Sequence, residues 1–396
     1  MTVLEHLSGR AADLSADAQP IDLEEAIATA EASTLPTAGD LRTRLERAKH
    51  AFSTRNVASH LRRAEGLHLL KDGHVPAAGE VVLARIIEIG QHKRIESPQS
   101  RRRTLFPGDE ILVAYGSRYA ADQFLAMIPR DMGLCHLAAA GGLASRVIDQ
   151  HENIDDPTVI EPIGVVADAQ GPITLQRVST HRVLPGVADR ADRPGHRVPV
   201  IAVFGTSMNS GKSTVLAHLA HGLAASGLNV AAGKATGTGA GNDYNLFIDA
   251  GAQRVMDFTD FGHPSTFQLP YEQIRDLFLS LVDELASGAQ QPDVVLVEIA
   301  DGVYQGETAR LLADPAFGDV VDGLVFSAGD ALGAAGGVSV LGDLGHTPSF
   351  VSGVVTASPL ATAEARRALD VPVVPTFDLG DPRVVRPLVA DLLGEA

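Results

Sequence analysis

The sequence predicts an α/β chain in two parts: a C-terminal domain with a mostly parallel sheet covered by helices, preceded by a smaller β-rich α+β domain. Three observations carry this. From about residue 198 onward, near-continuous apolar runs alternate with helically spaced segments, the pattern of a parallel sheet buried on both faces. A glycine-bounded polar loop joins the first of these runs to the first helical segment. Between Gly79 and about Leu175 the apolar runs are short and divided by turn residues, as in a small barrel or sandwich.

Bulk properties narrow the function classes. A chain of 396 residues with 45% hydrophobic and 20% charged residues has room for two or three domains and ample core. A net charge of −17 argues against nucleic acid or an anionic membrane as a partner. No run approaches the ~18 apolar residues of a membrane helix, and the N-terminus lacks the apolar centre of a signal peptide, so a cytoplasmic location is expected. Cys135 is the only cysteine, which excludes an intramolecular disulfide. It lies in an apolar run and reads as a buried small hydrophobe; a catalytic Cys135–His136 pair is disfavoured because neighbours on a strand face opposite ways. The basic residues His92, Lys93, Arg94, Arg101, Arg102 and Arg103 form one local cluster, read as a solvated hairpin in preference to a patch for an acidic ligand.

Residues 1–78 read as an N-terminal arm with a short helix near 23–30, then a helically spaced segment over 41–70 suited to packing or dimerisation, which Ser53 and Thr54 interrupt. Residues 79–180 form the β-rich domain. Strands are expected over 81–87, 110–115, 160–167 and 173–175, with a turn at Pro107-Gly108-Asp109 and a helix over 119–128. The Ala139-Ala140-Gly141-Gly142 turn precedes an expected helix over 143–148; a structural turn is preferred there to a second anion site. Residues 181–197, rich in Pro, Gly, Asp and Arg, read as a linker. Residues 198–396 carry the parallel sheet, with strands over 200–204, 228–232, 294–297, 323–326, 350–355 and 371–374. Helices are expected over 212–225, 271–286, 331–344 and 359–369.

The loop is the most specific signal. Val200 to Phe204 lead into Gly205-Thr206-Ser207-Met208-Asn209-Ser210-Gly211-Lys212-Ser213-Thr214, and a helix follows. This is strand, phosphate loop, helix: the P-loop of an NTPase, with backbone N–H groups and the helix start converging on an anion. Gly205, Thr206, Ser207, Asn209, Ser210, Gly211, Lys212, Ser213 and Thr214 are the expected nucleotide contacts. Lys212 reaches the β- and γ-phosphates and Ser213 ligates Mg²⁺. The first glycine sits one residue further from Gly211 than the common spacing places it. Lysine is scarce, at Lys49, Lys71, Lys93, Lys212 and Lys234 alone, although arginine is abundant. A compact ammonium has been kept where a rigid guanidinium fork fits a phosphate cradle poorly.

Three further groups belong at the same sheet edge. Lys234 ends the second strand and opens a glycine-rich stretch, Gly233 to Asp243; a second ammonium there would hold a γ-phosphate or an acylated intermediate. Asp257 and Asp260 follow the next strand, and Asp260 is a candidate Mg²⁺ ligand; His263 is a weaker candidate base. Val294-Val-Leu-Val-Glu298 reads as a Walker-B-like strand with Glu298 as metal ligand or water-ordering acid, ahead of Asp301. The catalytic set is therefore Lys212, Lys234 and Glu298, and the metal set Ser213, Glu298 and Asp260.

The lengthened loop, the lysine at Lys234 and the strand ending Val297-Glu298-Ile299-Ala300-Asp301-Gly302 resemble dethiobiotin synthetase and its relatives, such as cobyrinate amidotransferase and MobB-type domains. Their loop pattern is G-T-D-x-x-x-G-K-[ST]. The 234–260 stretch is also similar to the DgcN-like family, one member of which is credited with N-acetyltransferase activity. The resemblance covers roughly 198–380. Ser207 stands where the pattern has aspartate, and Ala357 where the synthetase places an adenine-facing asparagine, so dethiobiotin synthesis itself is not implied. With no Asn-Lys-x-Asp guanine signature, ATP is the expected nucleotide.

The resemblance implies an ATP- and Mg²⁺-dependent synthetase that activates a small carboxylate or carbamate for an amine. Its alternatives are a nucleotide-switched delivery protein and a DgcN-like acyltransferase. It also implies a small-molecule substrate and a homodimer across the nucleotide face.

Overall fold

The computed structural model describes residues 41–187, 198–288 and 291–394. The expected arm, its helix near 23–30 and most of the linker lie outside the described residues. No helix among the described residues is long and apolar enough to cross a membrane.

The N-terminal part begins with α1 (Leu41–Arg47), β1 (Lys49–His50), a single 3₁₀ turn at Phe52–Thr54, α2 (Val57–Leu61) and β2 (His68–Leu70). It continues through β3 (Val81–Glu88), β4 (Arg94–Glu96), β5 (Arg102–Thr104), β6 (Glu110–Tyr115), β7 (Arg118–Tyr119) and β8 (Phe124–Met127). Then come β9 (Cys135–Ala139), β10 (Leu143–Gln150), β11 (Thr158–Asp168), β12 (Gly171–Pro172) and α3 (Leu175–Val178). Pairing runs β6–β3–β11–β9–β10, and a parallel pairing of β10 with β6, Leu143 opposite Ala114, closes the ring into a barrel. The strands are apolar on both faces. On β3, Val82, Ala84 and Ile86 fill one core with Val113, Cys135 and Leu137, while Val81 and Leu83 pack outward against Leu45, Val57 and Leu61 of the helices.

Three helix expectations fail here because sheet pairing and side-chain hydrogen bonds override a local 3.6-residue period. Over 41–70 the chain leaves α1 so that Lys49 and His50 pair with Ile111 and Leu112. The Ser53 hydroxyl then donates to Gly142 O at 2.7 Å and the Thr54 hydroxyl to Leu112 O at 3.1 Å, so no long helix forms. Residues 119–128 are a β-hairpin arm: Ala120–Gln123 turns, and Phe124 and Ala126 face inward with a period of two. Residues 143–148 are strand β10, so the Gly141-Gly142 turn starts no helix. Gly142 adopts φ +99° there, and a Cβ would overlap Ala51. Ile173 to Leu175 supply only a bridge before α3.

The C-terminal domain follows the expected alternation. Strands β13 (Val200–Gly205), β14 (Val230–Lys234), β15 (Arg254–Asp257), β16 (Val294–Glu298), β17 (Gly323–Ser327) and β18 (Phe350–Ser352) form one sheet in the order β15–β14–β16–β13–β17–β18, every pair parallel. Helices α4 (Lys212–Ala225), α5 (Gly241–Asp249), α6 (Tyr271–Ala286), α7 (Gly306–Leu312), α8 (Pro315–Gly318), α9 (Ala331–Asp343), α10 (Pro359–Ala368) and α11 (Pro382–Val389) cover it. Ile201 and Val203 face α4, α5 and α11; Val200, Ala202 and Phe204 face α6 to α10. Val371 to Val374 form no strand, only a bridge from Val373 to Val351. With β13 central, the loop after it opens at the carboxyl edge of the sheet, where open α/β sheets bind ligands.

Candidate active site

Gly205 ends β13, and the chain turns through Ser207 to Ser210 before α4 begins at Lys212. Asn209 adopts φ +61° and Gly211 φ +99°. The φ of Gly211 favours glycine, and a Cβ there would also come a tight 3.3 Å from Gly353 Cα. A Cβ on Gly205 would overlap Ser210 Oγ. The loop is held from outside as well: Thr206 N donates to Ser327 O at 3.0 Å, and Ser210 O accepts from Ser327 Oγ at 2.7 Å and Val354 N at 3.0 Å. Lys212, only 6% exposed, lays its ammonium on Ser207 O at 2.8 Å. Burial lowers its pKa, against the pull of Glu298 and Asp301. Ser213 and Thr214 occupy the first turn of α4, whose leading N–H groups have no intrahelical acceptor and favour an anion.

Lys234 and Glu298 are register partners on β14 and β16. The Lys234 ammonium sits 2.9 Å from Glu298 Oε1 and 2.5 Å from Asp243 Oδ2. Burial opposes its charge, yet the two carboxylates outweigh burial and hold its pKa above the usual lysine value. Asp243 is held low in turn: burial opposes the charge, while Lys234 and a hydrogen bond from the Ser213 side chain favour it. Asp301, on the same edge, is pushed up by burial against the pull of Lys212 and Lys234.

These groups form a constellation of one hydroxyl, Ser213, and two carboxylates, Asp243 and Glu298. Glu298 Oε2 is buried without a hydrogen-bond partner. Hard oxygen donors of this number suit Mg²⁺, which draws its remaining ligands from phosphate and water. They fit the ion without a cluster of three or more His, Cys, Asp or Glu side chains, of which there is none among the described residues.

Asp243 is not among the site residues expected from the sequence, which put Asp260 in the metal set. The signal was available, since Asp243 closes the glycine-rich stretch and enters the first turn of α5. The structure takes Asp260 elsewhere. Its Oδ1 accepts from Arg55 at 2.6 Å and its Oδ2 from Asp257 N at 3.0 Å. Arg55 also bonds Thr259, lies 3.5 Å from Asp257 and stacks 4.3 Å from the Phe52 ring centroid. Asp257 and Asp260 thus fasten the barrel to the sheet rather than line the phosphate site. His263 is buried beside them, with a pKa lowered by burial to about 4. Cys135 sits inside the barrel with its thiol pushed up by burial to about 12, and His136 Nδ1 instead accepts from Val147 N at 3.0 Å.

The barrel closes over the loop. Asn209 donates its side-chain amide to Asp122 Oδ2 in the β7–β8 turn. Gly241 N donates to Glu96 Oε2 at 3.0 Å, and Asn245 Nδ2 to Ser100 Oγ at 2.7 Å. Between the two domains lies a cavity of about 910 Å³, walled by Lys212, Ser213, Lys234, Asp243, Glu298 and Asp301 on one side and by Arg94, Arg102 and Arg118 on the other. The basic cluster is a hairpin, as expected, but two of its arginines line this cavity.

No protein-family model and no curated protein matches the chain. Similar solved structures include the signal recognition particle 54 kDa protein of Aeropyrum pernix K1 in complex with GDP, 20% identical over 51% of this chain and 47% of that one, TM-score 0.34. The chain therefore spans about half the length of that protein. MinD of Pyrococcus horikoshii OT3, complexed with Mg-ADP, is 17% identical over 50% of this chain and 93% of its own, TM-score 0.32. The hydrogenase maturation factor HypB of Archaeoglobus fulgidus is 13% identical over 49% and 90%, TM-score 0.31. The C-terminal domain has a P-loop NTPase fold. The strand order, the loop after β13 and the helix that follows it carry that fold.

Proposed function

We propose that the chain is an ATP- and Mg²⁺-dependent P-loop enzyme of the dethiobiotin synthetase-like type, activating a small carboxylate or carbamate by phosphoryl transfer for ligation to an amine. The observation that carries this is the pair of ammonium groups, Lys212 and Lys234, on one wall of an interdomain cavity of about 910 Å³. Ligand cavities commonly span roughly 300–1,000 Å³, so this one has room for an acceptor beside the nucleotide. MgATP, when bound, supplies the γ-phosphoryl group with ADP as its leaving group.

The chain's own residues position and neutralise. The loop from Gly205 to Thr214 cradles phosphate oxygens with backbone N–H groups, and Lys212 offsets their charge. Lys234 stays charged between Asp243 and Glu298 and stands ready for negative charge developing beside them. Ser213, Asp243 and Glu298 would hold the metal. The barrel walls the cavity opposite the phosphate loop and would present the acceptor there.

Phosphate release from MgATP, measured with and without a mixture of small carboxylates and amines, tests this reading. Stimulation that disappears in Lys234→Ala supports it; turnover unaffected by Lys234→Ala removes it. A second reading, a nucleotide-switched delivery protein, is favoured by one observation: Glu96 and Ser100 of the barrel hold the start of α5 directly behind Asp243. Stimulation only by a protein partner would select it.

A further inference from the structure

The barrel side of the cavity is basic in a strongly acidic chain. The formal net charge is −17, yet this wall presents Arg94, Arg102 and Arg118 against the single carboxylate of Glu96. Glu96 is itself bonded to Gly241 N, and burial raises its pKa. His92, beside the arginines, is held neutral by burial and by Arg118.

Arg118 is 7% exposed. One of its terminal nitrogens donates to Ala138 O and the other to Gln123 Oε1 at 3.0 Å, which fixes the plane of the guanidinium. Its Nε is buried and has no hydrogen-bond partner. Burial lowers its pKa only to about 10, with Asp122 and Asp301 acting from a distance, so it remains a cation at neutral pH. No carboxylate among the described residues forms an ion pair with it. A buried cation without a paired anion is costly, and the cost is recovered when a ligand carboxylate or phosphate docks on its fork.

The position of this arginine is tied to the phosphate loop. Arg118 and Gln123 flank the turn whose Asp122 grips Asn209. Further out, Arg102 is the cross-strand partner of Glu96 on the β4–β5 hairpin, and Arg94 lies two residues from Glu96 on the same face. Neither arginine makes an ion pair among the described residues.

We propose that Arg118, with Arg94 and Arg102, forms an anion-recognition site for the acceptor, and that the acceptor is a small di- or polyacid. On this proposal one acidic group reacts at the phosphate loop and a second is seated on the barrel wall. The inference rests on the ATP-dependent reading above for the reacting group alone. The acid-binding wall stands on its own geometry.

Calorimetry with succinate, glutarate and citrate, and with succinamide as the uncharged control, tests the wall on the full chain. Each titration is run with and without saturating Mg²⁺ and a non-hydrolysable ATP analogue. At least one acid binds the wild type and succinamide does not. Affinity for that acid falls tenfold or more in Arg118→Gln and in the exposed double variant Arg94→Gln/Arg102→Gln, and Arg118→Lys recovers part of it. The affinity for the analogue changes less than threefold.

The double variant keeps the test valid if the buried substitution unfolds the barrel. Absence of acid binding in the wild type, or equal binding in wild type and double variant, overturns the proposal. So does a tenfold loss of analogue affinity in the double variant with acid binding intact, which would assign the wall to nucleotide phosphate. Failure of the analogue to bind the wild type sinks the ATP reading instead, and the titrations without it still decide the wall.

Discussion

Asn209, at the crest of the phosphate loop, donates its side-chain amide to Asp122 of the barrel. The residue that adopts φ +61° to shape the loop is thus restrained by the other domain. The loop is part of an interdomain contact, and its geometry depends on the barrel.

Removing that contact weakens nucleotide binding without touching a phosphate ligand. Asp122→Ala is expected to lose roughly 1 kcal/mol, about fivefold in the Kd of an ATP analogue, the usual worth of one hydrogen bond of this kind. Fluorescence titration of wild type and variant measures it.

Lys234 is held between two carboxylates, one of them on Glu298, which is 1% exposed. Lys234→Ala leaves the buried Glu298 charge without its partner and is expected to cost about 3–5 kcal/mol of stability. Urea denaturation reads this. MgATP turnover must be compared at a temperature where the variant remains folded.

Asp243 and Asp260 separate cleanly by metal dependence. Asp243→Asn is expected to raise the Mg²⁺ concentration needed for half-maximal phosphate release by tenfold or more, because Asp243 shares Ser213 with the metal site. Asp260→Asn leaves the Mg²⁺ midpoint where it was and lowers the thermal midpoint, since Arg55 then loses its 2.6 Å partner. Mg²⁺ titrations and thermal melts of both variants distinguish the two roles.

Three histidines set the acid side of the stability profile. Burial lowers His92 to about 3 and His136 and His263 to about 4. The unfolded chain protonates near the ordinary histidine value of about 6.5, so between that pH and about 4 it binds protons that the folded state refuses. Their contribution is therefore complete above about pH 6.5 and is lost as pH falls toward 4. Each histidine adds about 1.4 kcal/mol per pH unit to that slope, and His263→Gln is expected to remove one such increment. Urea titrations from pH 7 to pH 4 measure the slope.

What the sequence revealed divides along physical lines. The strand–loop–helix from Val200 to Thr214 was legible because each residue answers a local demand: apolar strand, positive φ at Gly211, helix start at Lys212. The sheet partners Lys234 and Glu298 were legible because each ends an apolar run. The barrel arm and the 41–70 segment were misread because their helical spacing yields to pairing with strands further along the chain, Lys49 with Ile111 and Met127 with Arg146. Asp243 and Asp260 are equally plausible metal acids in sequence. Only the position of Arg55, some two hundred residues away in the chain, shows which of them is already engaged. Arg118 carries no local signal at all; its meaning lies in being buried opposite the loop.

Hydrogen–deuterium exchange of the full chain, with and without Mg²⁺ and a non-hydrolysable ATP analogue, tests the shared cavity most directly. The account predicts protection at residues 205–214 together with protection in the barrel, at 94–102 and 118–123, and the loss of both in Lys212→Ala. Protection confined to the phosphate loop, or none in either domain, would contradict a nucleotide site that the barrel helps to build.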